Sequence, residues 1–248
     1  MTRPFLTAAA LLLLTACASD DTAGPDLTDA RVRFVHALAD TSAVDFRINA
    51  TLNASQTAVP YGAASAYLSV SAGTLAFAVQ PSPSESADKP RSLASLNQIR
   101  VSDGASLTVL GAGQARDTVS GRAAALSAYV DDVTQPAGGQ ARLRVINGAA
   151  DADGLDLYVT PAGGAVTGTP TFAGVDYRST LTTVMAPGSY TLTLTALSEP
   201  ATVLATGSIT LPAGGAQTVV VVGFSGTLPF GVPVARRIGF VTMVNRAP

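Results

Sequence analysis

Beyond residue 29 the chain alternates. Short runs in which apolar and polar residues exchange at every second position recur between Gly, Pro, Ser and Asp turns. That is the period of a strand with one face buried. In the first half the runs fall at 32–35, 44–48, 67–70, 74–79, 96–101, 106–110 and 124–130, and they are rich in Val, Ile, Thr, Tyr and Phe, the residues that suit a pleated, half-buried surface. No stretch after the first 16 residues keeps an apolar repeat at helical spacing. Six or seven short strands in roughly 100 residues predict an antiparallel β-sandwich.

The pattern then repeats. Residues 30–48 (ARVRFVHALADTSAVDFRI) align without gaps to 141–159 (ARLRVINGAADADGLDLYV), with six of 19 positions identical and six more apolar in both. Among the identical pairs are Arg31/Arg142, Arg33/Arg144, Asp40/Asp151 and Asp45/Asp156. Further on, Ala72-Gly73-Thr74 matches Pro187-Gly188-Ser189 at an offset of 115, and Leu107-Thr108-Val109-Leu110-Gly111 matches Val219-Val220-Val221-Val222-Gly223 at 112. Self-similarity at a fixed period marks repeated structural units. We expect two tandem sandwich units, 30–134 and 141–248, separated by the linker 135–140, whose Pro and Gly content suits a domain boundary. The segment 238–241 is expected to close unit 2, because too little sequence follows for another copy. Its likeness to 31–35 leaves the start of a truncated third copy as the alternative.

A different pattern precedes the units. Arg3 is followed by a nearly continuous apolar run over 4–14 and then by Leu14-Thr15-Ala16-Cys17. One basic residue, a short apolar core and small residues before the break are the layout of a secretory signal. The run is too short to span a bilayer, which takes about 20 residues. Leu14-Thr15-Ala16-Cys17 resembles the bacterial lipobox, which implies that 1–16 is a removed signal peptide and that Cys17 is acylated as the first mature residue. Ala18, where Asp would favour inner-membrane retention, points outward. Residues 17–29 carry Asp20, Asp21, Asp26 and Asp29 and are expected to form a flexible acidic tether. The address implied is the bacterial outer membrane or cell surface, with the lipid bilayer as partner through Cys17.

Composition narrows the chemistry. A net charge of -2 lacks the basic footprint of a nucleic-acid binder, and the single Cys excludes a disulfide framework or a Cys-rich zinc module. With one His, His36, neither a His-based triad nor a multi-His metal site is expected within the chain. A chain that is 47% hydrophobic and 13% charged is the opposite of a disordered one.

The arrangement Arg31-x-Arg33-Phe34-Val35-His36-Ala37-x-x-Asp40-x-x-x-Val44-Asp45, the Ala72-Gly73-Thr74 turn into a strand and the Leu107-Thr108-Val109-Leu110 strand together resemble the family called domain of unknown function 4397. Its members are bacterial extracytoplasmic proteins, often lipoproteins and often tandem. The resemblance covers residues 30 to about 130 and 141 to about 224. It implies an immunoglobulin-like β-sandwich for each unit, and it carries no activity and no catalytic residues. Asn147 stands in the second copy where the first has His36, so no role for the histidine is shared.

The polar residues that recur in both copies read as structural. With Val32, Phe34, Val44 and Phe46 facing a core, Arg33 and Asp45 would point outward, and likewise Arg144 and Asp156. We expect them to form Arg33–Asp45 and Arg144–Asp156 cross-strand pairs, each contributing about 0.2–1 kcal/mol. Asp40 and Asp151 are expected in Asx turns. Asp151, Asp153 and Asp156 resemble the opening of a calcium loop, but calcium takes six to eight oxygens and the distal acidic ligand is missing, so an acidic turn is expected, with a calcium site as the alternative. Ser86-Ala87-Asp88-Lys89 has the Ser-x-x-Lys form without the partner motifs that its chemistry needs. Glu85 and Glu199 are the two glutamates, each beside a proline or a Pro-rich loop.

The expectation is therefore an all-β, non-catalytic, membrane-anchored cell-envelope lipoprotein with no cofactor, acting as a binding or structural module. Its partner would be an envelope protein or glycan, met by Tyr61, Tyr67, Tyr158, Phe172 and Tyr177 if these gather at one sandwich end. The alternatives are an extracytoplasmic hydrolase using loop carboxylates and a pure spacer.

Overall fold

The computed structural model describes residues 29–49, 51–52, 56–82, 92–117, 121–228 and 231–247. The signal segment with Cys17, the tether up to residue 28, and Glu85, Ser86 and Lys89 lie outside the described residues. What is described is all-β and falls into the two expected units.

In unit 1 the strands are β1 (Asp29–Leu38), β2 (Ala43–Ile48), β3 (Thr51–Leu52), β4 (Val59–Pro60), β5 (Leu68–Ser71), β6 (Gly73–Pro81), β7 (Ala94–Val101), β8 (Ser106–Gly113) and β9 (Ala125–Val130). One sheet has the order β5-β1-β8-β9 and the other β3-β2-β6-β7, with β4 also on β2. Unit 2 repeats this plan with β10 (Ala141–Asn147), β11 (Leu155–Pro161), β12 (Phe172–Val175), β13 (Thr180–Met185), β14 (Gly188–Ala196), β15 (Glu199–Leu211), β16 (Ala216–Val222) and β17 (Gly239–Arg246). Its sheets run β13-β10-β16-β17 and β12-β11-β14-β15. Strand β17 lies antiparallel on β16, as β9 lies on β8. The last segment therefore closes unit 2 and does not open a third copy.

Two details depart from the sequence expectation. First, the sandwiches are not wholly antiparallel: β1 runs parallel to β8 and β10 parallel to β16. Parallel neighbours need a long crossover, and here the chain from β2 to β7 supplies it. Second, β1/β8 pairs Arg33 with Thr108, and β10/β16 pairs Arg144 with Thr218. Since Arg33 and Arg144 are equivalent, Thr108 matches Thr218, an offset of 110 where the sequence match suggested 112. A two-residue slip keeps every side chain on its own face, so alternation alone cannot detect it. Backbone conformation marks the true register, because Gly113 and Gly223 both hold positive φ, +105° and +103°.

Each sandwich buries its own core. In unit 1 Phe34, Phe46 and Phe77 meet at its centre, with Phe34 stacked on Phe46 at 4.5 Å and edge-on to Phe77 at 5.9 Å, arrangements that add to the area buried. In unit 2 Leu143, Val145, Leu157, Leu192, Leu194 and Val219 do the same. Strand β8 is buried at every position, and β1 and β10 nearly so. A sandwich strand with one free face would alternate, so a second surface must cover these.

That surface is the other unit. Val35, Ala37, Leu110 and Ala112 pack on Ile146, Val220, Val222, Val241 and Met243 in a third apolar cluster between the units. Gly148 shows how close the units come. A Cβ there would sit 3.3 Å from the Ala37 Cβ of unit 1, besides lying 2.9 Å from the Val221 carbonyl of its own unit. Ala37 is the residue equivalent to Gly148 at the offset of 111, so equivalent positions meet each other, as they do at a two-fold interface.

Candidate functional site

The seam between the units holds the polar cluster with the densest connections. Its position follows from register. Arg33 lies beside Thr108 on β8, and Thr108 lies beside Tyr129 on β9, two residues before Asp131. Arg33 donates through Nε to Thr108 Oγ1 at 2.9 Å, through Nη1 to the Val244 carbonyl at 2.9 Å and through Nη2 to Asn245 Oδ1 at 2.8 Å. The last two acceptors belong to unit 2. In return Arg144 donates through Nε to Thr218 Oγ1 at 2.9 Å, through Nη1 to the Val130 carbonyl at 3.0 Å and through Nη2 to Asp131 Oδ1. Each unit thus extends one arginine into the end of the other's last strand.

The clamp is reciprocal in geometry and unequal in charge. Asp131, with its carboxylate wholly buried, pairs with Arg144 and lies 3.6 Å from Arg33. It also accepts from Thr108 Oγ1 at 2.7 and 2.8 Å and from the Tyr67 hydroxyl at 2.5 Å. In the other half its equivalent is the neutral Asn245, which accepts from Thr218 Oγ1 at 2.9 Å. The guanidinium groups of Arg31 and Arg33 each sit 4.6 Å from the Tyr67 ring centroid, within cation–π range. Burial, and then the bond to Asp131, holds the Tyr67 hydroxyl well above its ordinary pKa. Burial pulls the Arg33 guanidinium down, and Asp131 opposes that pull. Two buried cations facing one carboxylate form a network in which every member needs its partner.

The expected cross-strand pairs do not form. Although β1 and β2 follow one another in sequence, they belong to opposite sheets of the sandwich, so Arg33 and Asp45 cannot be neighbours; the same holds for Arg144 and Asp156. Asp45 is itself buried and accepts from the Ala58 amide at 2.8 Å. Asp156 accepts from the amides of Gly174 and Ser198, both at 2.8 Å. Asp40 and Asp151 do not make Asx turns with their immediate neighbours either. Asp40 accepts from Ala115 and Arg116 at 2.7 and 2.8 Å, and Asp151 from Ser225 and Gly226 at 2.9–3.0 Å. The repeated aspartates are staples that tie distant loops to each sandwich. Asp151 and Asp156 therefore turn to amide donors, and among the described residues no three groups of metal-ligating type come together, so the calcium candidate Asp151, Asp153 and Asp156 has no shared centre.

The aromatic residues are not gathered into an exposed patch. Tyr61 and Tyr177, equivalent by their place after β4 and β12, pack against the inter-unit cluster. Tyr67 serves the clamp, Phe172 joins the unit 2 core, and Tyr158 is buried. Thr108, Asp131, Thr218 and Asn245 carry the clamp with the two arginines, and sequence reasoning passed over all four. Their signal was a Thr at the same place in β8 and β16 and a short polar residue at the end of each closing strand, visible only once the register is known.

His36 and Asn147 show what the two units do differently at one position. Asn147 donates to the carbonyls of Ala152 and Val175 at 2.8 and 2.9 Å and accepts from the Ala149 amide at 2.9 Å. His36 is fully buried, and among the described residues neither ring nitrogen makes a well-formed hydrogen bond, although the Pro60 and Val59 carbonyls lie near the ring. It stands edge-on to Tyr61 at 5.8 Å, and Arg236 covers the other part of that tyrosine, 3.9 Å from its ring centroid. Burial, aided by Arg236 and opposed by the carbonyls of Pro60 and Val59 and by Asp40, pushes the imidazole down to about 4.

Comparison with known proteins adds a family. The model of the "Domain of unknown function (DUF4397)" matches residues 30–158, which spans unit 1, the linker, β10 and the first part of β11. No curated protein matches the chain. A solved structure of what is called a "putative cell adhesion protein" from Bacteroides uniformis is 11% identical, over 88% of this chain and 98% of its own, with a TM-score of 0.26. A likeness that slight bears no further weight here.

Two outcomes are expected. Arg144→Leu leaves Asp131 without its nearest cation in a buried site and should cost about 3–5 kcal/mol, read from the urea midpoint, whereas the double change Arg144→Leu with Asp131→Leu should cost less than the two single changes summed. A loss under about 1 kcal/mol for Arg144→Leu would show that the clamp holds little. For His36, the unfolded chain takes up a proton near pH 6.5 and the folded chain only near pH 4. Stability should therefore fall as the pH drops through that window, by about 3 kcal/mol in all, and His36→Asn should flatten that part of the profile.

Proposed function

The chain belongs to the DUF4397 family of domains of unknown function, and from that premise we propose that it is a non-catalytic, lipid-anchored module of the bacterial cell envelope. In this reading the two sandwiches act as one rigid head on an acylated tether and present their loops and outer strands to an envelope protein or glycan. One observation carries it. The carboxylates that recur in both units, Asp40, Asp45, Asp151 and Asp156, all accept backbone amides that fix loops, and Asp131 is held among guanidinium and hydroxyl donors. A hydrolase needs carboxylates turned towards a substrate, and these are turned towards the fold.

The anchor rests on sequence. Leu14-Thr15-Ala16-Cys17 closes a short apolar run behind Arg3, and among the described residues no helix is long and apolar enough to cross a membrane. A single acyl chain binds a bilayer weakly and reversibly, so stable anchoring takes more than one chain, as lipobox acylation supplies. Replacing Cys17 by Ser should move the chain from the membrane fraction to the soluble fraction of a cell extract. Retention in the membrane by the variant would overturn the anchor.

A further inference from the structure

The arginine contacts across the seam are reciprocal, and one further arginine has its partner's charge reversed in the other half. Arg142, two residues before the clamp's Arg144, reaches the segment after β9: its Nη2 lies 3.1 Å from Asp132 Oδ2, and its Nη1 donates to the Thr134 carbonyl at 2.7 Å. In the other half Arg31 stands two residues before Arg33, and Arg246 follows Asn245 as Asp132 follows Asp131. Where one half has arginine with aspartate, the other has arginine with arginine.

These two arginines line one cavity of about 310 Å3, together with Val133, Asn245 and Ala247. Arg31 donates through Nε to Ser106 Oγ at 2.7 Å and lies over the Tyr67 ring, and its terminal nitrogens have no acceptor among the described residues. Arg246 has a buried Nε with no partner among the described residues. Asn245 turns its oxygen to Arg33 and Thr218, which leaves its NH2 group for the cavity. Among the described residues the lining offers donors and positive charge and no carboxylate. Behind it, Arg33 and Arg144 share the one charge of Asp131, so the neighbourhood carries an excess cation.

We propose that this seam cavity binds a small oxyanion, a phosphate or carboxylate group, with Arg31 and Arg246 as its charged donors and Asn245 as its neutral one. Guanidinium forks match the paired oxygens of both groups. The anion supplies in this half the negative charge that Asp132 supplies in the other. It also bridges β1 of unit 1 to the end of β17 in unit 2, so its binding and the union of the units are linked. The source is either a free ion or the headgroup of an anionic lipid.

The test uses the full chain and inorganic phosphate, with chloride at matched ionic strength as the control and melting temperature as the readout. Phosphate should raise the melting temperature saturably. Arg246→Gln should weaken the apparent affinity by about tenfold or more, the loss of one charge-assisted hydrogen bond. Arg246→Asp should fold at least as stably as the parent, because it rebuilds the Arg142–Asp132 pair around Arg31, and should no longer respond to phosphate. In a second arm, Cys17→Ser chain is mixed with vesicles of phosphatidylglycerol or phosphatidylcholine. Binding to phosphatidylglycerol vesicles that is lost in Arg246→Asp assigns the site to a lipid headgroup, and a response to free phosphate alone assigns it to a soluble ion. Equal responses to phosphate and chloride together with no vesicle preference, or a full response in Arg246→Asp, would overturn the proposal.

Discussion

A buried arginine must be met by acceptors wherever its strand places it, and that demand organises this molecule. Arg33 and Arg144 sit on the first strands of their units at positions that would face solvent in an isolated sandwich, yet both are almost fully buried. Each completes its hydrogen bonds only by reaching the last strand of the other unit, at Val244 and Asn245 or at Val130 and Asp131. The apolar cluster around Val35, Leu110, Ile146 and Val220 drives the faces together and removes water from the arginines. The arginines then fix the register in which the faces meet. Removing water raises both the strength of these bonds and the penalty for leaving any of them unmade.

The architecture was legible where it depended on face alternation. Strand positions, the division into two units and the closing role of β17 all follow from a period of two and an internal repeat. What alternation does not encode is direction and registration. Nothing in Val32–Val35 or Leu107–Leu110 says that these strands run parallel, and a match slipped by two residues between β8 and β16 leaves the pattern unchanged. The polar site shared that fate. Arg33 and Asp45 were visible as repeated residues, but assigning them to neighbouring strands needed the knowledge that β1 and β2 belong to different sheets. Asp131 and Asn245 are not even the same residue type, so no identity match could join them.

The pairs that differ between the units are as informative as those that agree. Asp131 and Asn245 hold equivalent places with different charge, His36 and Asn147 with different hydrogen-bonding capacity, and Asp132 and Arg246 with opposite sign. A homodimer of identical units would have to build both halves of its seam alike. Joined in one chain, the halves diverge, and the divergence concentrates the carboxylates Asp131 and Asp132 on one side and unmatched cations on the other. The repeated aspartates Asp40, Asp45, Asp151 and Asp156 behave oppositely: both copies keep them because each sandwich needs its loops tied down.

The claim on which the rest depends is that two sandwiches joined at this seam form a single cooperative body. Differential scanning calorimetry of the full chain measures this directly. One heat-absorption peak whose van't Hoff enthalpy equals the calorimetric enthalpy for the whole chain is the predicted result. Two separable transitions, each with the enthalpy of about half the chain, would show that the units unfold independently and would contradict the account.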